Sequence, residues 1–179
     1  MTLCALFAAM TAALSQIVIP IGLVPINLAT FAVFCAGALL GSKMGAVSII
    51  VWAALGMVGV PVFTMFRSGP GVLLGPTGGY IIGFIPAAFL TGLIIEKRGN
   101  VKTIIPYLAA MLTGTLAYFT FGTAWFVVST GTGVAQALMI CVIPFLPGDF
   151  IKIAAAAMVS KQLRPILCLK EEGRQTNTF

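Results

Sequence analysis

The sequence predicts an all-α integral membrane protein with six transmembrane helices, organised as a single membrane domain over residues 1–179. Three observations lead there. Of 179 residues, 60% are hydrophobic and 8% charged, with a mean hydropathy of +1.12, whereas a soluble domain carries about a quarter charged residues. The apolar residues form long continuous runs, not the ~10-residue alternating segments of a barrel. The basic residues sit mostly at the ends of those runs, where lysine and arginine set membrane orientation. The net charge of +6 is therefore no nucleic-acid face.

Residues 1–42 carry no charge, and Pro20-Ile-Gly-Leu-Val-Pro25 divides them into helices near 3–19 and 26–42, at about 20 residues per span. The first run is longer than a signal-peptide core, so cleavage is not expected. Gly41-Ser-Lys43 makes a tight turn into a third helix, about 44–60. An irregular stretch from Val60 to Gly79 follows, rich in glycine and proline and carrying Arg67; loops of that length are often functional. A fourth helix spans about 79–95, a polar connection runs from Glu96 to Lys102, and a fifth helix spans about 104–127. Residues 134–147 form a short interfacial helix, the sixth span covers about 148–167, and a polar tail closes the chain.

Charge distribution supports this count. With a cytoplasmic amino terminus and six spans, Lys43, Lys97, Arg98, Lys102, Lys161, Arg164, Lys170 and Arg174 fall inside, eight of ten basic residues. Splitting residues 103–148 into two full spans would put the basic tail outside, so seven spans are rejected. Arg67 and Lys152 are the exceptions.

Lys152 lies three residues from Asp149, on the same helix face, after 46 uncharged residues from Thr103 to Gly148. Ionisable groups at membrane depth are costly and mark functional sites. Counting back from the cytoplasmic Lys161–Arg164 places both roughly 8–15 Å below the outer surface. That predicts a pocket opening outward, with Arg67 above or beside it. A purely structural ion pair is the competing reading, but such a pair stabilises little after desolvation, and the break at Pro144–Gly148 leaves helix-end N–H groups for a ligand.

Gly75-Pro-Thr-Gly-Gly-Tyr80 supplies further candidates. Gly78 and Gly79 permit close backbone approach, Thr77 stands at a capping position, and Tyr80 is the aromatic nearest the pocket. The spacing of Gly75, Gly79 and Gly83 fits tight helix packing equally well. Gln136 and Asn27 are polar residues near the same level. On the first helix, Ala5, Ala8, Ala9, Ala12 and Ala13 form a small-residue face for another helix, of this chain or of a partner. The chain has no histidine, four acidic residues and four cysteines without CxxC spacing, so neither metal nor cofactor is expected and an intramembrane enzyme lacks its parts.

Four segments, Val24-Pro-Ile-Asn-Leu-Ala-Thr-Phe31, Gly59-Val-Pro-Val-Phe63, Leu74-Gly-Pro-Thr-Gly-Gly-Tyr80 and Phe145-Leu-Pro-Gly-Asp-Phe-Ile-Lys152, occur in this order. Together they resemble the BioY family, the substrate-binding (S) components of energy-coupling factor transporters for biotin. The resemblance covers nearly the whole chain. It implies the six-helix S-component fold, capture of biotin from outside a prokaryotic cell membrane, and association with a transmembrane coupling protein and two ABC-type ATPases. ATP is then used only by those partners. It also implies that Asp149 and Lys152 contribute to biotin binding and that the alanine face of the first helix meets the coupling protein. One departure is Ala29, where that family commonly carries glutamine, so the first segment has little weight as a ligand contact. A stand-alone biotin transporter is the alternative, though the chain shows no inverted repeat and no chain of acidic residues for proton coupling.

Overall fold

A computed structural model of the protein describes residues 1–19, 26–99 and 103–175, with the side chains of residues 19, 26 and 166–175 left aside. The divider at 20–25, Lys102, and the side chains of Lys170 and Arg174 lie outside the described residues.

Helix α1 spans Thr2–Ser15, shorter than the 3–19 expected, because the chain turns into a two-residue ladder instead. Strand β1, Val18–Ile19, pairs antiparallel with β2, Ile26–Asn27, Val18 opposite Asn27. Helix α2, Ala29–Met57, covers both the second and third expected helices. It is broken at Gly41, whose φ of 85° and ψ of −178° lie outside the helical region. Only glycine adopts that conformation without strain, and there the chain doubles back: a Cβ on Gly45 would lie 2.8 Å from the Gly37 Cα. Glu96 closes the turn from across the bundle, accepting from the Ser42 amide at 2.9 Å and the Ser42 hydroxyl at 2.6 Å. A carboxylate at a helix start satisfies orphan N–H groups and complements the helix dipole.

The irregular stretch resolves into a short 3-10 turn, Thr64–Phe66, and helix α3, Pro70–Leu74, with proline in its first turn. Helix α4, Gly78–Lys97, and helix α5, Ile105–Thr130, follow, the latter stopped by Gly131 in the left-handed conformation. Helices α6, Val134–Cys141, and α7, Leu146–Gln175, complete the chain. Three helices, Ala29–Met57, Gly78–Lys97 and Ile105–Thr130, are long and apolar enough to cross a membrane; α6 with residues 146–165, bent by 55°, makes a fourth. The expected count of six thus does not emerge as six long separate helices among the described residues. Helix α1 is short, and α2 holds two arms in one element.

Small residues let these helices pack. A Cβ on Gly37 would strike the Ala88 carbonyl of α4, and one on Gly92 would strike the backbone at Gly41–Ser42. Close backbone approach through small residues drives helix association in lipid, where apolar burial does not. Two ends result. At one, Cys4 Sγ approaches the Met44 carbonyl at 3.5 Å, Glu96 holds Ser42, and Arg164 donates to the Ile95 carbonyl at 3.4 Å. At the other, Ser15 donates to Val62 O at 2.7 Å, Trp125 to Gly75 O at 2.9 Å, and Lys152 to Asn27 O at 3.0 Å. Lys43, Lys97, Arg98, Lys161 and Arg164 belong to the first end, and Arg67 and Lys152 to the second.

Candidate functional site

The second end encloses a cavity of about 340 Å³. Pro144 interrupts the backbone between α6 and α7, and α7 starts at Leu146 with Pro147 and Asp149 in its first turn. The chain thereby delivers Asp149 and Lys152 to the cavity wall, and both are buried, at 2% and 7% exposure. Their side chains meet at 2.5 Å through Asp149 Oδ1 and Lys152 Nζ. This contact is an ion pair without hydrogen-bond alignment, so Oδ1 keeps an unaligned acceptor site. Tyr118 of α5 donates its hydroxyl to Oδ2. Lys152 donates its hydrogen bond to the Asn27 carbonyl. An ammonium has three protons and a carboxylate about four lone-pair sites, so the pair retains capacity for a ligand.

The remaining wall is aromatic. Trp52 meets Phe63 edge-on at 5.3 Å between ring centroids, Phe84 meets Tyr118 likewise at 5.6 Å, and Tyr80, Phe119 and Phe145 complete the lining. Tyr80 lies 3.4 Å, oxygen to oxygen, from the Thr123 hydroxyl. Asn27 is fixed from both sides, its side-chain oxygen accepting from the Ala29 amide at 3.1 Å and its amide donating to Thr64 at 2.6 Å.

The loop beside the opening is strained. Met65 and Phe66 have positive φ, 62° and 55°, a conformation that costs a non-glycine residue about 1–3 kcal/mol and persists only where surroundings enforce it. Gln16, at the end of α1, enforces it by accepting from the Phe66 amide at 2.8 Å and donating to the Phe63 carbonyl at 3.0 Å. Arg67 follows, exposed to solvent yet lining the cavity.

The structure therefore brings Asp149, Lys152, Tyr80, Thr77 and Arg67 to one cavity. Thr77 stands at the N-cap of α4 but makes no side-chain capping bond. Three candidates fall elsewhere. Gly78 and Gly79 are buried against α3 and α5, where a Cβ would collide with the Leu73 carbonyl or with Trp125; they serve packing. Gln136 is exposed on α6, away from the lining. The alanine face also divides: Ala8 is buried and Ala12 half-buried, while Ala5, Ala9 and Ala13 are exposed. Sequence reasoning missed Tyr118, Trp52, Phe84, Phe119 and Gln16. For Tyr118 a signal existed, since it stands mid-way along α5, away from the interfacial belts where membrane tyrosines gather.

An aromatic-walled chamber with one buried acid, one buried base and exposed apolar outer helices defines a membrane protein that binds a small polar-headed ligand. Comparison with known proteins gives this class a family. The family model described as BioY matches residues 1–168, and the chain belongs to the BioY family. It is 39% identical to the probable biotin transporter BioY of Pyrococcus horikoshii, over 91% of this chain and 94% of that protein. It is 37% identical to the biotin transporter BioY of Rhodobacter capsulatus, over 92% of this chain and 94% of that one. In structure it resembles the crystallised S-component for biotin from an ECF-type ABC transporter, with a TM-score of 0.84, 30% identity, and coverage of 92% of this chain and 89% of that one. These relatives are transport proteins, not enzymes.

Proposed function

We propose that the protein is the biotin-capturing S component of an ATP-driven uptake system, binding biotin in the cavity at the Asp149–Lys152 end. The observation that carries this reading is the buried acid–base pair in a chamber of about 340 Å³. That volume lies at the lower end of the ~300–1,000 Å³ usual for small-molecule sites. A ureido ring offers N–H donors to Asp149 and an oxygen to Lys152, the aromatic wall covers the thioether ring, and Arg67 at the opening meets the valerate carboxylate. Thr77 and Tyr80 line the same space.

The chain crosses a prokaryotic cell membrane six times in this reading: α1, the two arms of α2, α4, α5 and the α6–α7 pair. Support comes from the reversal at Gly41 and from the gathering of Lys43, Lys97, Arg98, Lys161 and Arg164 at the end away from the cavity; by the positive-inside rule we read that end, with both termini, as cytoplasmic. The exposed stripe Ala5, Ala9 and Ala13 docks on a transmembrane coupling protein, and two ABC-type ATPases supply ATP hydrolysis; the S component itself needs no cofactor.

Isothermal titration of detergent-purified protein with biotin tests the site. Asp149→Ala or Lys152→Ala lowers affinity at least about tenfold, ~1.4 kcal/mol, with membrane insertion retained. Unchanged affinity would leave the two as a structural pair. Biotin uptake by this chain alone in ATP-free liposomes would overturn the partner requirement.

A further inference from the structure

Thr30 differs from the other buried helical threonines among the described residues, each of which has a hydrogen-bond partner. Thr11, Thr113, Thr115 and Thr120 each donate to the carbonyl four residues earlier, that of Phe7, Ala109, Met111 and Leu116. This is the usual way a threonine hydroxyl is satisfied in an apolar helix. Thr30 is the second residue of α2, so the carbonyls three and four residues before it, on Asn27 and Ile26, belong to the preceding strand and do not stack beneath its side chain. Its Oγ1 is buried without a hydrogen-bond partner among the described residues, the whole residue being 5% exposed. A buried hydroxyl left unpaired is costly. Thr30 also lines the cavity that holds Asp149 and Lys152. Three residues earlier, the Asn27 carbonyl takes Lys152 Nζ at 3.0 Å, and Thr30 and Lys152 line the same cavity. Lys152 donates one proton to the Asn27 carbonyl and meets Asp149 without an aligned hydrogen bond, which leaves its ammonium donor capacity for a ligand.

We infer that Thr30 is a specificity-determining ligand contact, its hydroxyl donating, together with a free proton of Lys152, to the ureido oxygen of the bound ring. The inference rests on the biotin reading above and adds a residue to it. A carbonyl oxygen has two lone pairs, which the hydroxyl and the ammonium fill between them. Asp149, on the other side of the ammonium, is left for the ring N–H groups. A ligand whose ring lacks an acceptor at that position leaves both donors unpaired, the strongest form of discrimination available to a binding site. The hydroxyl costs stability in the empty protein and returns it on binding.

Thr30→Val, which keeps shape and removes the hydroxyl, separates this role from a structural one. Biotin affinity falls roughly five- to twentyfold, while the melting temperature of the ligand-free protein stays level or rises, because an unpaired polar atom has been removed. Thr30→Ser stays within about threefold of the parent. The fold-loss of Thr30→Val is the same on biotinamide, whose ring is intact and whose carboxylate is gone. Unchanged biotin affinity in Thr30→Val, a lowered melting temperature of its empty form, or a loss that vanishes on biotinamide would each overturn the assignment. Failure of the parent protein to bind biotin would instead bring down the reading beneath it.

Discussion

Two carboxylates at opposite ends of the bundle show how placement decides what an acid does. Glu96 is exposed, and its two oxygens accept from the amide and the hydroxyl of Ser42. It is a cap on Ser42. Asp149 is buried, held by one ammonium and one phenol, and faces a cavity with an oxygen that lacks an aligned donor. Both join segments far apart in sequence. Only the second leaves hydrogen-bonding capacity on a buried group facing a cavity, which is the energetic signature of a binding site rather than a clamp.

The sharpest way to break this contrast is to remove the buried pair together with the phenol that donates to it. The triple variant Asp149→Leu/Lys152→Met/Tyr118→Phe replaces the three polar groups with apolar ones, and such replacement of a buried ion pair in other proteins is neutral or stabilising by about 1–4 kcal/mol. Biotin binding by titration should fall more than about a hundredfold, ~2.8 kcal/mol, while thermal stability in detergent holds or rises. Lost stability with retained binding would reverse the roles assigned to the two ends.

An intermediate effect is expected at Tyr118. Phenylalanine there withdraws a hydrogen bond to a charged group, worth about 1.5–3 kcal/mol, so the empty protein should melt earlier. Biotin then supplies the missing donor, and the ligand-induced rise in melting temperature should exceed that of the parent. A smaller rise would mean that the phenol orients Asp149 for the ligand instead of standing in for it. The smallest effect belongs to Glu96→Gln, which keeps the shape of the cap and loses its charge. It should cost about 0.3–1 kcal/mol in thermal unfolding and leave biotin affinity within about twofold, a difference below ~0.5 kcal/mol.

How much of this was legible in the sequence follows from the chemistry of each signal. Asp149 and Lys152 stood out because charge inside a long apolar run is rare, and Gly41-Ser-Lys43 because glycine before a charge breaks a membrane helix. Arg67 stood out as a cation on the wrong side. The aromatic wall was not legible: helices apolar all round carry no periodicity that separates an inward Trp52 or Phe119 from an outward Phe121. Gly78 and Gly79 misled because close approach to a ligand and close approach to a neighbouring helix ask for the same residue. Thr30 lies in the segment carrying Ala29, whose departure from the family pattern masks it; its meaning depends on where α2 begins, a boundary no composition rule fixes to one residue.

The short helices have a consequence for the lipid around them. At 1.5 Å per residue, the 14 residues of α1 span about 21 Å and the 26 of α5 about 39 Å. Before the reversal at Gly41, residues 29–40 of α2 span about 18 Å. A bilayer core is about 30 Å thick. In the six-pass arrangement proposed above, one edge of the protein is therefore too short for its membrane and the opposite edge too long. Such mismatch is relieved by thinning the bilayer on one side and tilting on the other, at fractions of a kcal/mol per ångström. The wedge so formed gives the molecule a preferred lean in the membrane before any partner touches it.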